Sequence, residues 1–107
     1  RMVYNIILVC QWGASTGMLV EKMSEAAKKK NVEAVINAYS EAKLDQYIAD
    51  ADIVLLAPQV RFKKDSLAQK YKALGTPFLV IETVDYGMMN GEKVLDATLE
   101  VLKKGGK

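Results

Sequence analysis

The sequence has no histidine, one cysteine, and only two arginines, Arg1 and Arg61. Each shortage removes a class of chemistry. Without histidine, a Cys–His nucleophile pair, a zinc site of the usual kind and a phosphohistidine carrier are all excluded within this chain. One cysteine, Cys10, excludes an internal disulfide and fits a reducing cytoplasm. No apolar run approaches the roughly 20 residues that span a bilayer. The stretch from Val3 to Val9 is too short for a signal peptide and leads straight into a loop. Charge of one sign is scarce too, with 15 basic residues against 13 acidic ones, a net +2. That balance does not call for nucleic acid. The lysines are interspersed with acids in helix-like stretches and read as solvated faces. No nucleic-acid partner, metal or cofactor is expected.

What is present is enough for a core. Half of the 107 residues are hydrophobic, and that length suits one domain, residues 1–107. The apolar pattern alternates between short strand-like runs and longer helical ones. Val3 to Val9 reads as a strand. A helix opens near Thr16, carries Leu19, Met23, Ala26 and Ala27 inward, and stops at Asn31. Val32 to Tyr39 alternates and suits an edge strand. Ser40 is placed to cap a short helix with Leu44 and Ile48. Ile53 to Leu56 is a fully apolar strand. A helix with Leu67, Tyr71 and Leu74 follows and closes at Gly75. Phe78 to Ile81 is the fourth strand. Asn90 caps a last helix with Leu95, Leu99 and Leu102 facing inward, and the final three residues are expected to fray.

Strands alternating with helices imply βαβ units, a parallel sheet and right-handed crossovers. The first and third strands are the most apolar and should be central. The expected fold is α/β: a four-stranded parallel sheet in the flavodoxin-like order 2-1-3-4, with helices on both faces. Ligands of such sheets bind at the carboxyl ends of the strands where the order reverses. That point holds the loop beginning at Cys10, with Ser40 to Ala42, Ala57 to Arg61 and Glu82 to Asn90 as neighbouring loops.

The chemistry concentrates at Cys10-Gln11-Trp12-Gly13-Ala14-Ser15-Thr16-Gly17. A strand–loop–helix turn aims backbone N–H groups at one spot, with the positive end of a helix dipole behind them. Such a spot favours a thiolate and cradles a phosphate. Gly13 and Gly17 permit close backbone approach, and Ser15 and Thr16 bring hydroxyls. Trp12 reads equally as a cover for the loop or as a partner contact. The spacing resembles that of cysteine phosphatases, in which cysteine, five residues and arginine form the phosphate loop, but Thr16 stands at the arginine position. Such an arginine would clamp the phosphate and hold transition-state charge. Arg61 on the third loop is the remaining substitute. Asp85 reads as a turn residue or as a general acid, and Gln59 as a turn residue or a polar contact. Three readings follow from the residues: a phosphoryl carrier, a low-molecular-weight cysteine phosphatase-like enzyme, and a flavodoxin-like binding module without catalysis.

The run from Cys10 to Val20 resembles the phosphorylation loop of the enzyme IIB component of the bacterial phosphotransferase system, in its lactose/cellobiose (chitobiose) class. Ile53-Val54-Leu55-Leu56-Ala57-Pro58-Gln59-Val60 resembles that class's third strand and Pro-Gln turn. Asp85-Tyr86-Gly87, with Gly91 and Val94-Leu95, resembles its last segment. The class usually has a small residue at Trp12, often methionine at Ala14 and often serine at Gly17. These departures bear on sugar class and loop hydrogen bonding rather than on the cysteine. The resemblance implies a phosphotransferase without cofactor. Cys10 would take a phosphoryl group from a phosphohistidine on the IIA partner. It would pass the group to a sugar, a β-linked disaccharide such as cellobiose, chitobiose or lactose, bound by the membrane-embedded IIC permease. Residues 11 to 17 would hold the phosphate, with Gln59, Asp85 and Tyr86 on adjacent loops. The location implied is cytoplasmic, peripheral to the membrane through IIC.

Overall fold

The structure, a computed structural model, describes residues 2–11 and 16–107. Its strands are β1 (Tyr4–Cys10), β2 (Ala34–Ser40), β3 (Ile53–Leu56) and β4 (Phe78–Val80). Its α-helices are α1 (Thr16–Lys29), α2 (Glu41–Tyr47), α3 (Lys64–Lys70), α4 (Thr83–Gly87) and α5 (Gly91–Lys104). All strand pairs are parallel, in the order β2-β1-β3-β4. This is the expected order, and hydrophobicity explains it. β1 from Ile6 to Cys10 and all of β3 are buried, as strands covered on both faces must be. In β2 only Ile36 is fully buried, which suits an edge.

The two faces of the sheet are built differently. On one lie α1 and α5, of 14 residues each. Leu19, Met23, Ala26 and Ala27 of α1 and Val94, Leu95, Leu99 and Leu102 of α5 are buried. The helices nearly touch at Gly91, where a Cβ would lie 2.4 Å from the carbonyl carbon of Lys22 and 2.5 Å from the nitrogen of Met23. Only glycine fits there. Lys30 ties the same pair together, 3.3 Å from both Glu92 and Asp96. Its pKa is raised, chiefly by the hydrogen bond to Asp96 and then by that to Glu92.

Right-handed crossovers put α2 and α3 on the opposite face. Each has seven residues, too short to be stable without tertiary contacts. Polar side chains link them: Lys63 pairs with Glu41, and the Tyr71 hydroxyl donates to Asp45 at 3.0 Å. Burial pushes the Tyr71 pKa up, and the Asp45 carboxylate pushes it further.

Four expectations change. The helix foreseen around Leu67, Tyr71 and Leu74 is three pieces: 3-10 turns at Pro58–Lys63 and Lys72–Leu74 flank α3. Val60, at φ −115° and ψ 18°, leaves helical geometry and breaks the run. Glu82 to Asn90 is not a loop throughout, because it holds α4. Ser40 occupies the N-cap position of α2 but makes no side-chain cap hydrogen bond, whereas Asn90 does cap α5 by accepting from the Lys93 N–H. The last residues do not fray. The Lys107 N–H donates to the Leu102 carbonyl at 2.9 Å, its ammonium lies 2.5 Å from Asp52, and its carbonyl accepts from the Tyr4 hydroxyl. Asp52 also accepts from the Asn5 N–H at 2.8 Å. Burial pushes the Asp52 pKa upward, but the Lys107 and Asn5 hydrogen bonds together outweigh it and hold the carboxyl below its ordinary value.

Candidate functional site

Cys10 is the last residue of β1, and Thr16 opens α1. Both are buried, at 5% and 0% exposure. The Cys10 sulfur lies 2.9 Å from the Thr16 hydroxyl oxygen. The residue standing where a phosphatase would have arginine therefore reaches the sulfur itself, with a neutral hydroxyl in place of a cation. A neutral hydroxyl in that place does not supply the bidentate clamp that stabilises phosphate hydrolysis. Behind the pair stands a 14-residue helix whose first-turn N–H groups have no helical acceptors.

Backbone hydrogen bonds fix the neighbouring segments against β1 and β3. The Ala57 N–H donates to the Val9 carbonyl at 3.0 Å, and the Ile81 N–H to the Leu56 carbonyl at 2.9 Å. The turn after β3 thus starts beside the end of β1, with Ala57 and Pro58 buried. Gln59 is exposed within that turn. Arg61 is exposed as well, and its Nη1 donates to the Pro58 carbonyl at 2.9 Å. It borders a groove with Pro58, Val80, Ile81, Glu82, Thr83 and Val84, between the ends of β3 and β4 rather than between β1 and β3. The guanidinium is held to its own turn, and nothing described brings it to Cys10.

Asp85 and Tyr86 lie in α4, after β4, with β3 intervening between them and β1. Asp85 is half-buried and lines a groove with Leu79, Val94 and Ala97. No residue of β1 lines that groove. Tyr86 is 7% exposed and belongs to the core. Gln11 is an exposed bend residue, and Gly17 sits in the first turn of α1 with no described atom within 4 Å of a Cβ built on it. Trp12, Gly13, Ala14 and Ser15 lie outside the described residues. Among the described residues, no group of acidic and cysteine side chains could hold a metal ion, and no helix is long and apolar enough to cross a membrane.

One feature of this end of the sheet was not legible in the sequence. Glu41 follows the residue paired with Cys10, and Lys63 comes to it from beyond β3. Neither belongs to a motif. The signal is the strand order itself, which brings together two segments that are distant along the chain.

The sequence model of the family described as "PTS system, Lactose/Cellobiose specific IIB subunit" matches residues 5–97. The chain is 43% identical over 97 residues to the PTS system galactose-specific EIIB component of Lactococcus lactis subsp. cremoris, covering 86% of this chain and 90% of that one. The solution structure of a cellobiose-specific phosphotransferase IIB component from Borrelia burgdorferi superposes with a TM-score of 0.80 at 44% identity, over 97% of this chain and 95% of that one. A lactose-specific EIICB component of Lactococcus lactis is 27% identical over 82 residues, which make up 77% of this chain and 14% of that protein. The fold, the match along nearly the whole chain and the relatives agree, and this chain belongs to the lactose/cellobiose-specific IIB family, the phosphotransferase components of the phosphotransferase system.

Proposed function

We propose that residues 1–107 act as one phosphoryl-carrying domain of sugar uptake, with Cys10 as the carrier. The observation that carries this reading is the contact between the Cys10 sulfur and the Thr16 hydroxyl at the mouth of α1. The Cys10 thiolate attacks the phosphorus of a phosphohistidine on IIA. The S–P bond forms, the P–N bond breaks, and the imidazole keeps the electron pair and takes a proton. A sugar hydroxyl held by the membrane permease IIC then attacks the same phosphorus. The S–P bond breaks, the thiolate leaves, and the hydroxyl proton passes to the solvent or to the permease. Phosphoryl transfer needs positioning and charge stabilisation above all. The residues from Gln11 to Gly17 hold the phosphoryl oxygens, with Thr16 donating its hydroxyl, and Gln59 stands on the turn after β3 beside them. The chain needs no histidine because the donor supplies it. A relative named EIICB supports the pairing with IIC. Relatives named for galactose and for cellobiose match almost equally well, and the sugar we assign is a β-linked disaccharide of the cellobiose, chitobiose or lactose kind. The protein works on the cytoplasmic side, peripheral to the membrane through IIC.

The test is the mass of the protein after incubation with phosphorylated IIA. The expected gain is one phosphoryl group, on Cys10 only. Cys10→Ser should neither gain the group nor pass it to sugar, because a serine hydroxyl needs a general base to activate it and no described carboxylate contacts residue 10. Sugar phosphorylation at the normal rate in Cys10→Ser would end this reading. Hydrolysis of an aryl phosphate should be negligible. Turnover on the order of 1 per second or more, abolished in Arg61→Ala, would instead establish the phosphatase-like alternative.

A further inference from the structure

β1 lies between β2 and β3, and Cys10 at its end is paired in register with Ser40. Adjacent strands are about 4.8 Å apart, so the next residue, Glu41, sets a carboxylate close to the end of β1. From the other side of β1, Lys63 reaches it from the turn that follows β3. The ion pair therefore links the segments that flank β1 at the carboxyl end of the sheet. Its partners are 36% and 40% exposed, and pairs that exposed contribute little to stability. Their position matters more. An unpaired carboxylate there repels any anion brought to Cys10. Salt screens such repulsion over a Debye length of about 10 Å at 0.1 M. Arg61 is engaged with the Pro58 carbonyl.

We propose that Lys63 is a positioning residue that neutralises Glu41 beside the end of β1, so that an anionic group can be received and held at Cys10. The proposal rests on the phosphocysteine reading for its purpose, but not for its electrostatics. It assigns opposite signs to the two members of the pair. Removing Lys63 exposes the Glu41 charge and makes the site hostile to anions. Removing Glu41 frees a cation beside the site and makes it more welcoming.

The test uses two alkylating probes on the intact protein, iodoacetate, which is anionic, and iodoacetamide, which is neutral. Both react with the same thiolate. The ratio of their rates therefore reports the local potential rather than the amount of thiolate. Relative to the unchanged protein, the iodoacetate/iodoacetamide ratio should fall about threefold in Lys63→Gln and rise about threefold in Glu41→Gln. The double variant should return to the starting ratio. Raising the salt from about 0.05 M to about 1 M should collapse these differences. A purely structural pair would move both single variants in the same direction and change both probes together. That result, or unchanged ratios, would overturn the proposal.

Phosphorylation by phospho-IIA is read in parallel, with less label expected in Lys63→Gln and more in Glu41→Gln. If no variant and not even the unchanged protein takes up phosphate while the ratios move as stated, the phosphocysteine reading fails and the role of Lys63 stands. If the unchanged protein is labelled and the ratios stay fixed, the role of Lys63 fails and the carrier reading stands.

Discussion

The two faces of the sheet carry the same parallel strands but hold their helices by different means. α1 and α5 are long, apolar on one side and in backbone contact at Gly91. α2 and α3 are half as long and are linked through Glu41–Lys63 and Asp45–Tyr71. The difference separates two tasks. The α1/α5 face supplies most of the continuous helical core and fixes α1, whose first residue touches Cys10. The α2/α3 face places charges and turns around the end of β1. Substitutions on the first face should therefore cost stability, and substitutions on the second should change the site at modest cost.

The largest effect expected is that of Leu95→Ala on α5, where the side chain is fully buried. Large-to-small changes in such a core cost about 2–5 kcal/mol, depending on how far the cavity collapses. Leu95→Ala should fall near the top of that range, and Leu67→Ala on the seven-residue α3 near the bottom. Equal losses in urea unfolding would erase the distinction between the faces. Next comes Gly91→Ala, which drives a methyl group into the backbone of Lys22 and Met23. Overpacking of this kind costs about 1–3 kcal/mol. Gly87→Ala, where a Cβ meets nothing within 4 Å, should instead be neutral or stabilise by about 0.4–1 kcal/mol.

Tyr71→Phe removes the link to Asp45 and should cost about 1 kcal/mol near neutral pH. It should also change the alkaline limb. The folded-state pKa of Tyr71 is raised above 10.0. Its contribution is therefore complete below the unfolded value and is lost as pH rises through the folded one. Urea midpoints measured between neutral pH and about pH 11 should fall less steeply in Tyr71→Phe than in the unchanged protein. The smallest effect at neutral pH belongs to Asp52→Asn at the amino end of the sheet, because the amide keeps an acceptor for the Asn5 N–H. The folded-state pKa of Asp52 is depressed below 3.8. Its contribution is present above the unfolded value and is lost as pH falls through the folded one. Acid unfolding below about pH 4 should be less steep in Asp52→Asn, and an unchanged acid limb would show that this tie does not matter to folding.

The elements that the sequence made plain share one property: their signal is local. Leu19, Met23, Ala26 and Ala27 announce α1 by their spacing. Ile53 to Leu56 is apolar enough to demand a central place, and Asn90 caps α5 as its side chain allows. The misjudged elements depend on partners far along the chain. The 3-10 turn before α3 arises because Pro58 and Val60 must follow the end of β3, whose own turn is bonded to β1. The last residues stay ordered because Asp52 and Tyr4, brought near by the sheet, hold Lys107. At the site, Cys10 and Thr16 were readable as a strand end and a helix start. Arg61 and Asp85 were readable only as chemically suitable, and the fold places them in grooves that no residue of β1 lines.

The sequence by itself determined the alternation of strands and helices, the parallel sheet, the central places of β1 and β3, and the position of the one nucleophilic sulfur at a strand–helix junction. Periodicity, capping chemistry and a lone cysteine carry that information within a few residues. Only the tertiary structure decided that the Thr16 hydroxyl meets the sulfur, that Arg61 is turned back on Pro58, and that Glu41 and Lys63 meet. The physical reason is that side-chain pairing between distant segments depends on strand order and register. These are fixed by burial of the whole sheet, which no short stretch of sequence specifies.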